Sequence, residues 1–204
     1  GYFTRVPIGV VAAITPFNAP LALACHKVAP AIAGGNSVIL KPASATPLAD
    51  LMLGEVLLEA GLPPEALNIV TGPGGEVGGA LASDPRIRMV SFTGGLEVGM
   101  ALSSKAGLKK ISLELSGNAA IIITESADPK QSAEIIARGG FTLAGQVCIS
   151  VQRVLTVPSI HSGFVRELAA ATRSLKLGNQ LEEDTDVGPM IDLASARRTK
   201  AWVD

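Results

Sequence analysis

Cysteine is scarce in this sequence. Cys25 and Cys148 are the only two in 204 residues, far apart along the chain. No disulfide framework is indicated, and a reducing compartment such as the cytoplasm fits. Histidine is equally scarce: His26 and His161 lack the spacing of a zinc site, so no metal is expected. His161 opens a helical stretch and reads as a surface or capping residue. A net charge of −1 provides no basic field to hold a polyanion, which argues against a nucleic-acid partner. Long hydrophobic runs are missing too. The longest, IGVVAAITPFNAPLALA at 8–24, is interrupted by Pro16, Asn18 and Pro20; it is a poor membrane span, and no basic segment precedes it as in a signal peptide. There is no internal repeat, no low-complexity linker and no Gly-x-Ser-x-Gly elbow, and a Cys–His protease pair lacks its local signature. The chain opens on Gly1 without a methionine and stops at Asp204 within a helix expected from near Leu193, as a piece of a longer protein would.

What is present is a 48% hydrophobic chain, rich enough to bury a core. Short, near-continuous apolar runs fall within 6–16 and at 37–42, 67–72, 88–94 and 110–115. Each closes on Gly, Pro or a polar residue, as a strand buried on both faces does. Helical candidates lie between them, near 20–33, 47–60, 76–83 and 96–106. The second is the clearest, with Pro47 at its start and Gly61 and Pro63 at its end. This alternation predicts an α/β fold with a parallel sheet and right-handed crossovers. A second unit begins near residue 116: a strand in AAIIITESAD, a helix over PKQSAEIIARGGFTLA, a strand in SVQRVLTV and a helix over HSGFVRELAAATRSL. The acid-rich GNQLEEDTDVGP reads as a solvated loop.

Two glycine turns follow predicted strands and open predicted helices, the position where parallel sheets bind anions. Neither matches a standard phosphate motif. In TGPGGEVGG at 71–79 the third glycine, Gly78, comes one place late for the dinucleotide pattern, and Pro73 stiffens the turn. In TGGLEVG at 93–99 Met100 and Ala101 follow where a P-loop needs Lys and Ser or Thr. Four polar or reactive residues each allow two readings. Lys41, at a strand end before Pro42, is a solvated edge residue or a hand for a ligand hydroxyl or phosphate. Glu114 is an exposed strand end or a buried carboxylate tuned as a general base. Asn18, bracketed by prolines, is a turn residue or an amide donor to an oxyanion. Cys148, between Val147 and Ile149, is a small buried hydrophobe or a reactive thiol in the tight bend after Gly145 and Gln146.

Taken in order, these segments resemble the aldehyde dehydrogenase superfamily along almost the whole chain. The resemblance is carried by PIGVVAAITPFNAPL, LKPASATPLA, NIVTGPGGEVGGAL, SFTGGLEVG, LELSGN and GQVC. It implies a Rossmann-like sheet with flanking helices. Residues 1–115 would be the C-terminal part of a nucleotide-binding domain, and 116–204 the N-terminal part of a catalytic α/β domain. It makes Cys148 the nucleophile toward a small-molecule aldehyde, Glu114 the base that hydrolyses the resulting thioester, and Asn18 with the Cys148 N–H the oxyanion donors. It gives NADP, NAD or both as cofactor. Lys41 would lie at the adenosine ribose and Gly74 near the adenine. Thr93, Gly94 and Gly95 would line the pyrophosphate and nicotinamide path, and the Leu115 carbonyl would meet the carboxamide. Phe17, Leu23, His26, Val147 and Ile149 would line the substrate tunnel, with His26 open to bonding a hydroxyl or carboxylate or to an ordinary helix role.

This chain departs from the family pattern in places. Ser44 stands where the family often has a Glu that grips the ribose of NAD, which makes NADP tolerable. SGN replaces the commoner GGK, and Gly95 replaces a common serine. The segments that complete the cofactor grip and the homodimer or homotetramer contacts of the family lie outside this stretch. Two other readings stand beside the first. One is a CoA-acylating relative, against which Glu114 argues because that chemistry needs no hydrolytic base. The other is a cofactor-binding domain without catalysis.

Overall fold

Five short runs of β-branched and small residues build a parallel sheet of order β3-β2-β1-β4-β5. The strands are β1 (Val10–Ile14), β2 (Ser37–Lys41), β3 (Leu67–Ile69), β4 (Ile87–Thr93) and β5 (Lys110–Glu114). Side chains alternate across the sheet with period two. Ala13, Val38 and Leu40 meet Ala24 and Val28 of α1 (Pro20–Ala33) and Leu53 and Leu57 of α2 (Leu48–Glu59). Ala12, Ile14, Val90 and Phe92 point the other way, to Ala82 of α3 (Gly79–Ser83) and to Leu102 and Ala106 of α4 (Leu96–Ala106). The first unit is therefore a three-layer α/β structure with both sheet faces covered, as the alternation of runs predicted. The computed structural model describes all 204 residues, which divide into Gly1–Ser116 and Gly117–Asp204.

The second unit has a two-stranded parallel sheet of β6 (Ala119–Ile123) and β7 (Val151–Thr156). Ile123 packs with Ala133 and Ile136 of α5 (Pro129–Phe141) and Phe164 of α6 (His161–Ser174). Asp128 caps α5 by accepting the Gln131 N–H at 2.7 Å, and Pro129 opens it. His161 does begin α6, and its Nδ1 lies 2.8 Å from the Thr156 hydroxyl. The acid-rich loop is largely exposed, closed by a bridge between Leu177 and Val187. Asp192 caps α7 (Leu193–Val203), accepting the Ser195 N–H at 2.6 Å. No helix is long and apolar enough to cross a membrane.

Several elements differ from the sequence reading. β3 leaves the sheet after Ile69, although the Val70 N–H still donates to the Leu40 carbonyl at 2.9 Å. β5 is not buried on both faces. It is an edge strand with β4 as its neighbour, and four of its five residues are exposed. The expected helix at 76–83 begins as a π-turn, Gly74–Gly78, before α3. The expected helix over 129–144 stops at Phe141. A 3₁₀ turn, Thr142–Gly145, follows, in which Leu143 (φ 51°) and Ala144 (φ 56°) take left-handed backbone. That conformation costs a residue with a Cβ roughly 1–2 kcal/mol.

The buried side of α2 carries an acid. Asp50 is fully buried one turn before Gly54, and neither carboxylate oxygen has a hydrogen-bond partner. Burial alone raises its pKa to about 6. Because the folded value lies above the unfolded one, the protonated carboxyl favours the fold at low pH. That contribution is lost as pH rises from about 4 through about 6. The neutral isostere Asp50→Asn should therefore match the wild type near pH 4. Above pH 7 it should be more stable, by on the order of 1–3 kcal/mol. Urea unfolding from pH 4 to 8 measures the difference, and parallel curves would contradict it.

Leu143 is half exposed, so little burial is lost on replacing it. Asparagine tolerates left-handed backbone better than leucine. Leu143→Asn should raise the stability of the second unit by about 0.5–1 kcal/mol, read as a higher urea midpoint.

Candidate functional site

The order β3-β2-β1-β4-β5 reverses direction at β1. From β1 the chain steps to β2 and β3 on one side, then crosses to β4 and β5 on the other. In open α/β sheets the crevice beyond the carboxyl ends of the strands flanking such a reversal is where ligands bind. Here those strands are β1 and β4. The segment after β1 carries Phe17 and Asn18 and leads into α1 with Pro20 at its first position. The segment after β4 carries Gly94 and Gly95 and leads into α4.

Backbone hydrogen bonds continue the ladders past the strand ends and set these loops. The Thr15 N–H donates to the Lys41 carbonyl at 3.1 Å, and the Gly94 N–H to the Glu114 carbonyl at 3.0 Å. Thr93 is buried and in register with Glu114. A Cβ on Gly94 would lie 2.4 Å from Cζ of Phe92, so only glycine fits beneath the turn. Gly95 flanks the first turn of α4 with open space where a side chain would stand. Leu115 packs on the other end of this arrangement: a Cβ on Gly99 of α4 would come within 2.6 Å of its Cδ2. Two glycines thus precede α4, and its N-terminal N–H groups suit an anion, with the one acid of the first turn being Glu97.

Next to this crest, Pro42, Ala43, Ser44, Pro47, Thr71, Gly72 and Pro73 line a cleft of about 440 Å³. The exposed Ser44 hydroxyl donates to the Gly72 carbonyl at 2.9 Å. Its proton is therefore engaged, and what it offers the cleft is an oxygen without charge. Gly74 is exposed at the start of the π-turn. Lys41 is not a solvated edge residue. It is buried, its Nζ donates to the Pro42 carbonyl at 2.7 Å, and desolvation lowers its pKa.

Glu114 takes the exposed strand-end form of its two readings. The sequence reading missed its electrostatic partner, Lys27 of α1. Burial lowers the Lys27 pKa, and the charge of Glu114 opposes that shift. Lys27 Nζ also donates to Ser91 Oγ at 3.3 Å. A lysine in the middle of the apolar pattern LALACHKVAPAIA was the available signal. On the same helix Leu23 is half buried and His26 exposed. The Phe17 carbonyl accepts the Thr46 hydroxyl at 3.4 Å, tying the Asn18 segment to the loop after β2.

In the second unit Cys148 stands in a turn and is half buried, with Val147 half buried and Ile149 exposed. It is a free thiol, not core filler. The turn is closed by the Ser150 N–H donating to the Val147 carbonyl at 3.0 Å. Buried Ser150 donates its hydroxyl to the Gly140 carbonyl at 2.9 Å. Gly117 lets the chain approach: its Cβ would be 3.0 Å from the Cys148 carbonyl oxygen.

A family model described as the aldehyde dehydrogenase family matches residues 1–204. The 3-sulfolactaldehyde dehydrogenase of Priestia megaterium is 49% identical over 202 residues, 99% of this chain and 42% of the relative. Among solved structures, an NAD-dependent aldehyde dehydrogenase from Sinorhizobium meliloti superposes with a TM-score of 0.94 at 39% identity, covering 97% of this chain and 40% of that one. A glyceraldehyde-3-phosphate dehydrogenase from Methanocaldococcus jannaschii, complexed with NADP, gives 0.93 at 40% identity over 98% of this chain and 45% of that one. The chain thus spans about two fifths of the length of the relatives it matches.

Proposed function

Because the chain belongs to the aldehyde dehydrogenase family, we propose that the complete protein oxidises a small aldehyde to its carboxylic acid, with NAD or NADP as hydride acceptor. The observation that carries this reading is the crevice at the reversal of the sheet. There the Asn18 segment, the glycine turn that opens α4 and the end of β5 with Glu114 share one edge. In this reading residues 1–115 belong to the nucleotide-binding domain and 116–204 to the catalytic domain. The free thiols fit a cytoplasmic protein. The complete chain acts as a homodimer or homotetramer.

The Cys148 thiolate attacks the aldehyde carbonyl and forms a thiohemiacetal. The Asn18 amide and the Cys148 N–H hold the oxyanion. A bound NAD or NADP would supply the hydride acceptor for this chemistry, with a thioester left on Cys148. Glu114 then takes a proton from water, which attacks the thioester and releases acid and thiolate. The cofactor residues have the right chemistry. The α4 N-terminus with Gly94, Gly95 and Thr93 would hold the phosphate and nicotinamide, Leu115 would offer its carbonyl, and Gly74, Ser44 and Lys41 would hold the adenosine end. Phe17, Leu23, His26, Val147 and Ile149 form the substrate walls.

In the complete enzyme Cys148→Ala should lower turnover by about 10³-fold or more, and Cys25→Ala should leave most of it. Glu114→Gln should keep the first hydride transfer yet slow steady-state turnover by about 10²-fold or more, seen as a burst of reduced cofactor that stalls. Normal steady-state turnover in Glu114→Gln removes the base assignment.

NADP use follows from Ser44. A carboxylate here would face a 2′-phosphate at short range, whereas the serine oxygen carries no charge. Ser44→Glu should lower kcat/KM for NADP at least about tenfold, equivalent to about 1.4 kcal/mol, and should lower NAD use much less. An unchanged cofactor ratio, or no NADP use by the wild type, contradicts it.

A further inference from the structure

We propose that Gln146 is a positioning residue for Cys148, a role that rests on Cys148 being the nucleophile. Its amide joins two structures that flank the thiol's turn. On one side, its backbone N–H and its Nε2 both donate to the Leu143 carbonyl, at 3.1 and 2.8 Å. That carbonyl belongs to the left-handed turn of Leu143, Ala144 and Gly145. On the other side, its Oε1 accepts the Ile191 N–H at 3.0 Å, across 45 residues of chain. Ile191 immediately precedes Asp192, whose side chain caps α7.

The arrangement has a mechanical logic. A turn with two non-glycine residues in left-handed backbone is under strain and relaxes unless the surroundings over-determine it. The Gln146 side chain supplies such a constraint, because it closes the turn on itself and also fastens it to the start of a capped helix. The far end of the Cys148 turn is already held by Ser150 on Gly140. With Gln146 in place the three residues between, Val147, Cys148 and Ile149, are pinned at both ends. The Cys148 N–H, an oxyanion donor in the proposed reaction, is thereby held to one direction, and oxyanion stabilisation depends on that direction.

Only a carboxamide serves both arms, since one needs a donor and the other an acceptor. Glutamate keeps the acceptor for the Ile191 N–H and loses the donor to Leu143. Methionine keeps the length and loses both. The series Gln, Glu, Met should therefore be graded in chemistry rather than in binding.

The test uses the complete enzyme with a turned-over aldehyde and its preferred cofactor. First-turnover hydride transfer is followed by stopped flow, beside KM and the thermal midpoint. Gln146→Met should slow the first turnover by about 10- to 100-fold with little change in KM, and Gln146→Glu should lie between it and the wild type. Slowing of less than about threefold in folded Gln146→Met, or a loss confined to KM or to the thermal midpoint, overturns the proposal. Should Gln146→Met not fold, Gln146→Glu decides by the same threshold. Cys148→Ala is the parallel control. Full first-turnover activity in that variant would defeat the nucleophile reading itself, whatever the Gln146 series shows.

Discussion

A parallel sheet sends every strand out through the same edge, and β1, with a parallel neighbour on each side, makes that edge into a site. Each loop leaving the edge must satisfy its first backbone groups or lose the free energy of burying them. The Thr15–Lys41 and Gly94–Glu114 hydrogen bonds do so by prolonging the ladders one residue beyond the strands. Those bonds tie the end of β1 to the end of β2 and the end of β4 to the end of β5. The segments holding Asn18, Lys41, Gly94 and Glu114 are thus held by the sheet's own hydrogen-bond geometry, ahead of any side-chain contact.

Close packing then determines which side chains are allowed at that edge. Phe92 fills the space under Gly94, and Leu115 fills the space against Gly99. Both large groups belong to the core beneath α3 and α4. The apolar layer that stabilises the sheet therefore also restricts the turn at Gly94 and the fourth residue of α4, Gly99, to glycine. The second unit achieves definition differently. The Cys148 turn is fixed by side-chain-to-backbone bonds from Ser150 and Gln146 and by the small size of Gly117.

Much of this was legible in the sequence because it follows from periodicity and punctuation. The apolar runs located all five strands of the first sheet, and Pro47 with Gly61 bracketed α2 closely. The order of six short segments pointed to the family. What was not legible depends on neighbours distant in the chain. The burial of Lys41 goes with the place of β2 between β1 and β3, and the exposure of β5 with its place at an edge. Asp50 occupies an apolar stripe at a spacing that looks like a solvated helix face. FTLA has no residue that marks left-handed backbone, so the helix seemed to run on through it. Lys27 lay in the helix expected at 20–33 and Gln146 in GQVC, but their partners Glu114 and Ile191 are far along the chain.

Every ladder in both sheets is parallel, which has a consequence for how the chain reaches its fold. No strand here can zip onto its neighbour through a tight hairpin. Each pairing waits for a crossover, and that of β1 with β4 waits longest, because β4 lies beyond α1, β2, α2, β3 and α3. Contacts of such wide sequence separation are closed late and slowly. During synthesis β1 emerges before β4 and stays unpaired on that side until β4 follows. The most apolar strand of the sheet is thus also the one exposed longest before the native state forms, and it is the segment through which nascent chains would associate.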